Sequence, residues 1–256
     1  TFVYKMKNAT DWQAGGEYTY TVSLAAAKDL GYTIESNGSY TVYNADGLLN
    51  VAELVNGGKT DINITLTADI DLTGKDWTPI GTDYDNSYKG TFDGGGHTIT
   101  GLTFTTNDEY AGLFGWLNRA GTVKNVVMEG VQITSNQIYG GSIGGVVGSG
   151  WGTIENCSVS GSVSGTVYVG GVVGVQIGGS ITGCSSSATV KGTVDVGGVA
   201  GQTNSSATLT ACYATGNVTS TGSSTGYVHI GGFLGDNYTT VTALFRLKSH
   251  PLIYIH

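Results

Sequence analysis

Gly145-Val146-Val147-Gly148 returns, slightly altered, as Gly112-Leu113-Phe114-Gly115, Gly171-Val172-Val173-Gly174, Gly198-Val199-Ala200-Gly201 and Gly232-Phe233-Leu234-Gly235. The first glycines stand at 112, 145, 171, 198 and 232, a spacing that falls in the period range of solenoids. A second signature follows the first four copies: Val123-x-x-Val126 with Gly130, Ile154-x-x-Cys157 with Gly161, Ile181-x-x-Cys184 with Ala188, and Leu209-x-x-Cys212 with Gly216. One residue type recurring once per unit places each copy above its counterpart, with coils about 4.7–4.9 Å apart as in any parallel sheet. A coil of roughly 27 residues, the interval between the cysteines, has room for three short strands and three turns. The expected fold is therefore all-β, a right-handed parallel β-helix (a β-solenoid). Its glycines accept the corners, through positive φ or close backbone approach. Its valines supply β-branched strand residues whose inward members fill the core.

Composition is consistent with this. The chain has 256 residues with 43 glycines and two prolines, and no Gly-X-Y period, which excludes collagen; an apolar share of 39% is too high for simple disorder. Eleven Lys and Arg face 19 Asp and Glu, for a net charge of −8. Without a basic patch, nucleic acid is not an expected partner. No run of 18 apolar residues is present, so no membrane insertion is expected in this segment. The low lysine content with Thr, Ser, Gly, Asn and Tyr richness fits a secreted surface. The first residues carry neither an initiator Met nor a signal-peptide pattern, so the chain reads as part of a longer protein.

Four regions follow along the chain. Residues 1–40 form an N-terminal strand region, a cap or the remnant of a preceding domain, in which Tyr18, Tyr20, Val22 and Leu24 alternate with polar residues behind Trp12 and Gly15-Gly16. Residues 41–111 hold a short capping helix and the first coils. The helix spans 46–56, with Asp46 as its cap and Gly57-Gly58 ending it, and covers the open end of the solenoid. The alternation of Ile62, Ile64 and Leu66, then Ile70 and Leu72, begins the strands. Residues 112–245 are the repeats proper. Residues 246–256 are an atypical, basic tail unrelated to the repeat.

The repeated Gly-[Leu/Val/Phe]-x-Gly, followed by a hydrophobic residue, two spacers and Cys or Val, resembles the GLUG-motif repeats of bacterial cell-surface proteins. The lead-in Trp77-Thr78-Pro79-Ile80-Gly81 with Gly90-Thr91-Phe92-Asp93-Gly94-Gly95-Gly96-His97-Thr98-Ile99 is similar to the segment that precedes such repeats. The likeness covers about residues 40–245. The stretch around Trp12 and Tyr18-Thr19-Tyr20-Thr21 is similar to the closing strand of fimbrillin-like domains from gut Bacteroidetes. The resemblance implies a surface adhesin and carries no catalytic residues to transfer.

Several constellations carry residue types capable of chemistry. Cys157, Cys184 and Cys212 lack the close Cys-x-x-Cys pairs of zinc sites and read as small buried hydrophobes stacked in one inward column, reduced and unbridged. Asp46-Gly47 with Glu53 imitates the end of an EF-hand loop, but the first position of that loop would fall on Val42, which cannot bind calcium. The row Ser142, Tyr168, Asp195 and His229, read as outward-pointing, is chemically mixed; Tyr168, Asp195 and His229 become a site only if adjacent coils bring them together. Glu155 aligns with Lys124, Thr182 and Thr210 and stands alone. Asp69, Asp71, Asp83, Asp85 and Asp93 are explained by loop solvation or turn hydrogen bonding. No phosphate loop or Gly-x-Ser-x-Gly elbow is present. No catalytic, cofactor-binding or metal-binding residue and no cofactor is assigned on this basis.

The expectation is a non-catalytic cell-surface adhesin or stalk module, extracellular and associated with the outer membrane, that presents a rigid β-helix to a host or bacterial protein or glycan. The competing expectations are a carbohydrate-active enzyme on the same scaffold, a polysaccharide lyase or a glycosidase, and a purely structural spacer.

Overall fold

A computed structural model of the chain describes residues 29–222, 228–239 and 241–242. The alternating stretch at Tyr18 to Leu24, its fimbrillin-like resemblance and the tail 246–256 lie outside the described residues.

The described residues form a β-solenoid of about seven turns with one helix. One inward column shows how it is built. Tyr40, Ile64, Phe92, Val123, Ile154, Ile181, Leu209 and Val241 are register partners, each parallel to the next. Other inward columns run alongside: Ile70, Ile99, Met128, Val159; Phe104, Ile133, Val163, Val190; and Phe114, Val147, Val173, Ala200. In the first three columns the strands turn one side chain into this core and the next outward, so the apolar set of one coil lands on that of its neighbour. Several coils exceed 27 residues. The extra length sits in turns: 136–141 separate two strands where the next coil uses only 165–167.

The helix Ala45–Asn56 begins one residue before the expected span and is capped by Asn44, not Asp46. Asn44 is extended at φ −156°, and its Oδ1 accepts from the Gly47 backbone N–H at 2.9 Å, satisfying one of the donors a helix start leaves orphaned. Asp46 lies instead in the first turn, where a carboxylate complements the positive end of the helix dipole, and pairs with Lys75 at 2.8 Å. Leu48, Val51, Ala52 and Val55, spaced three and four apart, are its buried stripe. The helix packs against Tyr32–Ile34, Tyr40–Val42 and Ile70–Asp71 at the N-terminal end of the described solenoid. Residues 45–53, nine of the twelve positions of the imitated EF-hand loop, are helical, which the turn of such a loop does not allow.

Gly130 (φ 67°) and Gly161 (φ 117°) of the second signature take left-handed corners, whereas the Gly-x-x-Gly motif does not. Among the described residues, the glycines of the Gly-x-x-Gly motifs all lie outside the positive-φ region; all but Gly232 serve close approach. Another positive-φ corner falls just before the cysteine column, at Asn125 (φ 55°), Asn156 (φ 51°), Gly183 (φ 64°) and Ala211 (φ 54°). Asparagine tolerates that conformation, and here it also bonds along the axis: Asn156 Nδ2 donates to Asn125 Oδ1 at 3.4 Å, and Asn125 Nδ2 to Asp93 Oδ1 at 3.0 Å. Alanine has no such compensation and carries the left-handed penalty outright. Ala211→Gly is therefore expected to stabilise the last coils by about 0.5–1 kcal/mol, seen as a raised midpoint in thermal unfolding; a lowered midpoint would contradict the assigned corner.

Cys157, Cys184 and Cys212 form the expected inward column, free and buried. The backbone N–H of Cys157 points at Cys184 Sγ, and that of Cys184 at Cys212 Sγ, each at 3.4 Å. Contact between neighbouring sulfurs, with burial, pushes the Cys184 and Cys212 thiols well above their usual range. Because the thiolate is the reactive form, the native chain is expected to resist a thiol reagent at neutral pH and to expose three reactive thiols in denaturant. Rapid labelling of the folded chain would contradict the column.

Asp83 behaves as turn chemistry requires, whereas Asp69 bonds to the next coil. Asp83 Oδ1 accepts the N–H groups of Asp85 and Asn86 at 2.9 and 3.0 Å, and Asp69 Oδ1 accepts that of Thr98 at 2.9 Å. Those backbone donors hold both carboxyls below the usual range.

Candidate functional site

The motif corners create the site. Tyr110, Ser142, Tyr168, Asp195 and His229 are register partners in successive coils. The residue after each motif's second glycine forms a facing column: Trp116, Ser149, Val175, Gln202 and Asp236. The second glycines bring the columns together. A Cβ on Gly201 would stand 2.6 Å from Val169 N, and one on Gly235 2.5 Å from Val196 N, so any larger residue would hold the strands apart.

The row expected to point outward is therefore partly closed over. Ser142 is 2% and Asp195 4% exposed, because the second column lies against the first. At one end the two columns meet as aromatics: Tyr110 and Trp116 stand edge to face, centroids 4.5 Å apart. Trp116 also contacts Trp151 at 5.6 Å and Tyr84 at 5.9 Å, and Tyr84 lies 5.7 Å from Trp151. Tyr84, from the polar loop after Gly81, is 60% exposed. Beside Trp151 runs an open groove of about 430 Å³ lined also by Arg119, Thr153, Ile177 and Asn204.

At the other end the columns meet as ionisable groups. Asp195 Oδ1 lies 2.8 Å from His229 Nδ1, and Asp236 Oδ2 lies 3.8 Å from the same nitrogen. Gln202 Nε2 reaches Asp195 Oδ2 at 3.5 Å and Asp236 Oδ2 at 3.4 Å. Burial pushes the Asp195 carboxyl up, and the neighbouring Asp236 charge adds to this. Donation to the Asp195 carboxylate keeps the His229 imidazole protonated to higher pH.

Adjacent coils thus do bring Asp195 and His229 together, with Tyr168 one step along the column. Asp236 and Gln202 were missed, although their position immediately after the second glycine was open to inspection. Glu155 lies in the row Asp93, Lys124, Glu155, Thr182, Thr210, where Lys124 pairs with Asp93 at 3.3 Å. A second groove of about 240 Å³ runs over stacked serines, including Ser158, Ser160 and Ser185, with Glu129 and Tyr213 at its margin.

Parallel coils turning on close-approach glycines, with two facing columns beside each turn, define a repeat-built β-solenoid. The chain carries GLUG repeats: residues 139–164 and 165–191 match the family model of the GLUG motif. Over 174 residues, 62% of this chain and 2% of the relative, it is 33% identical to Halomucin of Haloquadratum walsbyi. Over 100 residues, 38% of this chain and 11% of the relative, it is 38% identical to the "Putative Gly-rich membrane protein" of Evansella cellulosilytica. The chain thus spans a small fraction of these curated relatives. A crystal structure of a "putative immunoglobulin A1 protease" from Bacteroides ovatus is similar with a TM-score of 0.65 at 24% identity, covering 82% of this chain and 68% of that one. That likeness is one of fold.

Proposed function

We propose that the chain is a non-catalytic adhesin or stalk module of a cell-surface protein, extracellular and associated with the outer membrane, that presents its rigid solenoid to a host or bacterial protein or glycan. The relative named as a membrane protein supports a surface setting. The observation that carries the binding role is the pair of exposed Tyr84 and half-buried Trp151, the latter lining the groove with Arg119 and Asn204. Large apolar rings left exposed next to convergent polar groups mark recognition surfaces, and aromatic faces with a polar rim suit a glycan. The repeating residues occupy core and corners, while outward rows change from coil to coil, so the scaffold is constant and the display is individual.

The competing reading is a carbohydrate-cleaving enzyme, and Asp195 with Asp236 is the observation in its favour. Glycoside cleavage asks for two carboxyls about 5–9.5 Å apart with the sugar bond between them. Here one oxygen from each lies within 4.8 Å of the other, and Gln202 and His229 tie them together. Binding on a glycan and host-matrix array, run with a degradation assay on the same purified chain, separates the readings. Retention without cleavage, weakened more than about tenfold by Tyr84→Ala with Trp151→Ala, is expected. Degradation without stable retention sinks the adhesin reading, and two blank assays leave a structural spacer.

A further inference from the structure

We propose that Asp195, His229 and Asp236 bind one divalent transition-metal cation of the zinc class. Each offers one ligand atom, and the three atoms lie within 4.8 Å of one another. Around a four-coordinate ion with bonds of about 2.0–2.2 Å, ligand atoms stand roughly 3.4 Å apart. The separations of 2.8 Å between Asp195 Oδ1 and His229 Nδ1, and 3.8 Å between His229 Nδ1 and Asp236 Oδ2, bracket that value. Rotations about side-chain bonds suffice to seat the ion.

Charge supplies the second argument. The Asp195 side chain is 6% and the Asp236 side chain 16% exposed. Two adjacent carboxylates so far from water favour a compensating cation. Among the described residues no lysine or arginine pairs with either, and His229 supplies at most one positive charge against two negative. The exposed Tyr238 hydroxyl donates to Asp236 and Gln202 faces both carboxylates at 3.5 and 3.4 Å, but neither brings the positive charge that would balance the pair. With the Gln202 amide turned over, an assignment set by the surrounding donors, its oxygen would face the ion as a fourth ligand.

The donor set selects the metal. Calcium and magnesium take oxygen ligands only, and in larger number; a site of one imidazole nitrogen and two carboxylate oxygens suits zinc and its neighbours. The His229 side chain is 42% exposed, which leaves an open side for water and for entry of the ion. The solenoid builds the arrangement directly, since Asp195 and His229 are register partners, as are Gln202 and Asp236. The inference does not depend on the adhesive role.

The test is calorimetric titration of the metal-free 256-residue chain with Zn²⁺ at neutral pH, repeated on Asp236→Asn and His229→Gln. One equivalent is expected to bind and to raise the melting temperature, with affinity falling at least about tenfold in either variant. If a variant misfolds by circular dichroism, Co²⁺ absorption of the wild-type chain decides, since a four-coordinate site with an imidazole ligand gives an intense visible band and an all-oxygen octahedral site a weak one. Absence of zinc binding, zinc binding undiminished in both folded variants, equal affinity for Ca²⁺, or only the weak Co²⁺ band would overturn the site.

Discussion

Gly174→Ala breaks the solenoid in the middle. A methyl there would stand 2.5 Å from Ile143 N, 2.6 Å from Gly148 O and 2.8 Å from Ser142 C. All three are backbone atoms of the neighbouring coil, and none can swing aside as a side-chain end could. To fit the methyl the coils must separate, and the parallel hydrogen bonds on both sides of the corner lengthen with them. The expected loss is at least about 3 kcal/mol, the upper range for overpacking a filled interior. Coils contact only their neighbours, so the damage uncouples the halves, and urea unfolding is expected to change from one transition to two. Gly232 holds the equivalent of the motif's first glycine in the last described coil, and a methyl there meets nothing within 4 Å. Gly232→Ala is therefore expected to stay within about 0.5 kcal/mol of wild type. Equal effects at both positions would show that the motif glycines act through chain flexibility and not through close approach.

Phe114→Ala removes the anchor of the N-terminal coils. The ring is fully buried and stands 5.2 Å from Tyr88, tilted by 37°, and 5.2 Å from Phe92, nearly perpendicular at 79°. It also bridges to Ile80 below the first repeat and pairs with Val147 above it. Tyr88 cannot slide in to fill the void, because its hydroxyl donates to the Ile62 carbonyl at 2.9 Å. The expected cost is about 3–5 kcal/mol, the sum of lost burial and an unfilled cavity. Hydrogen exchange is expected to quicken first in residues 77–92, with the coils beyond Ile154 keeping their protection. A cost under about 1 kcal/mol would mean that this aromatic group can collapse on itself, contrary to the packing described.

Much of this was legible because core positions repeat. Val123, Ile154, Ile181 and Leu209 align in the sequence, and the structure stacks those same residues. The cysteine column was legible for the same reason. Asp195 and His229 aligned correctly, yet their burial did not show. It depends on how closely two strands approach across a corner, which Gly201 and Gly235 decide in three dimensions and which no strand periodicity encodes. The Asn44 cap lay one residue outside the apolar pattern that located the helix. Tyr84 looked like ordinary loop polarity; its ring becomes part of a cluster only because the loop folds back over Trp116 and Trp151 from later coils. The left-handed corners at Asn125 and Asn156 were hidden by a motif that drew attention to glycine.

The central claim is the register, since the facing columns, the cysteine stack and the proposed ion site all follow from it. Ser162 and Thr189 are register partners on the outer face of adjacent coils, and Lys191 lies two residues further along the same strand. A disulfide needs Cα atoms about 4.4–6.8 Å apart, which a directly stacked pair meets and a pair displaced by two residues, roughly 8 Å apart, does not. Cysteines at 162 and 189 are expected to bridge on mild oxidation of the folded chain, and cysteines at 162 and 191 to remain free. Bridging of the displaced pair in preference to the stacked one would contradict the register and everything built on it.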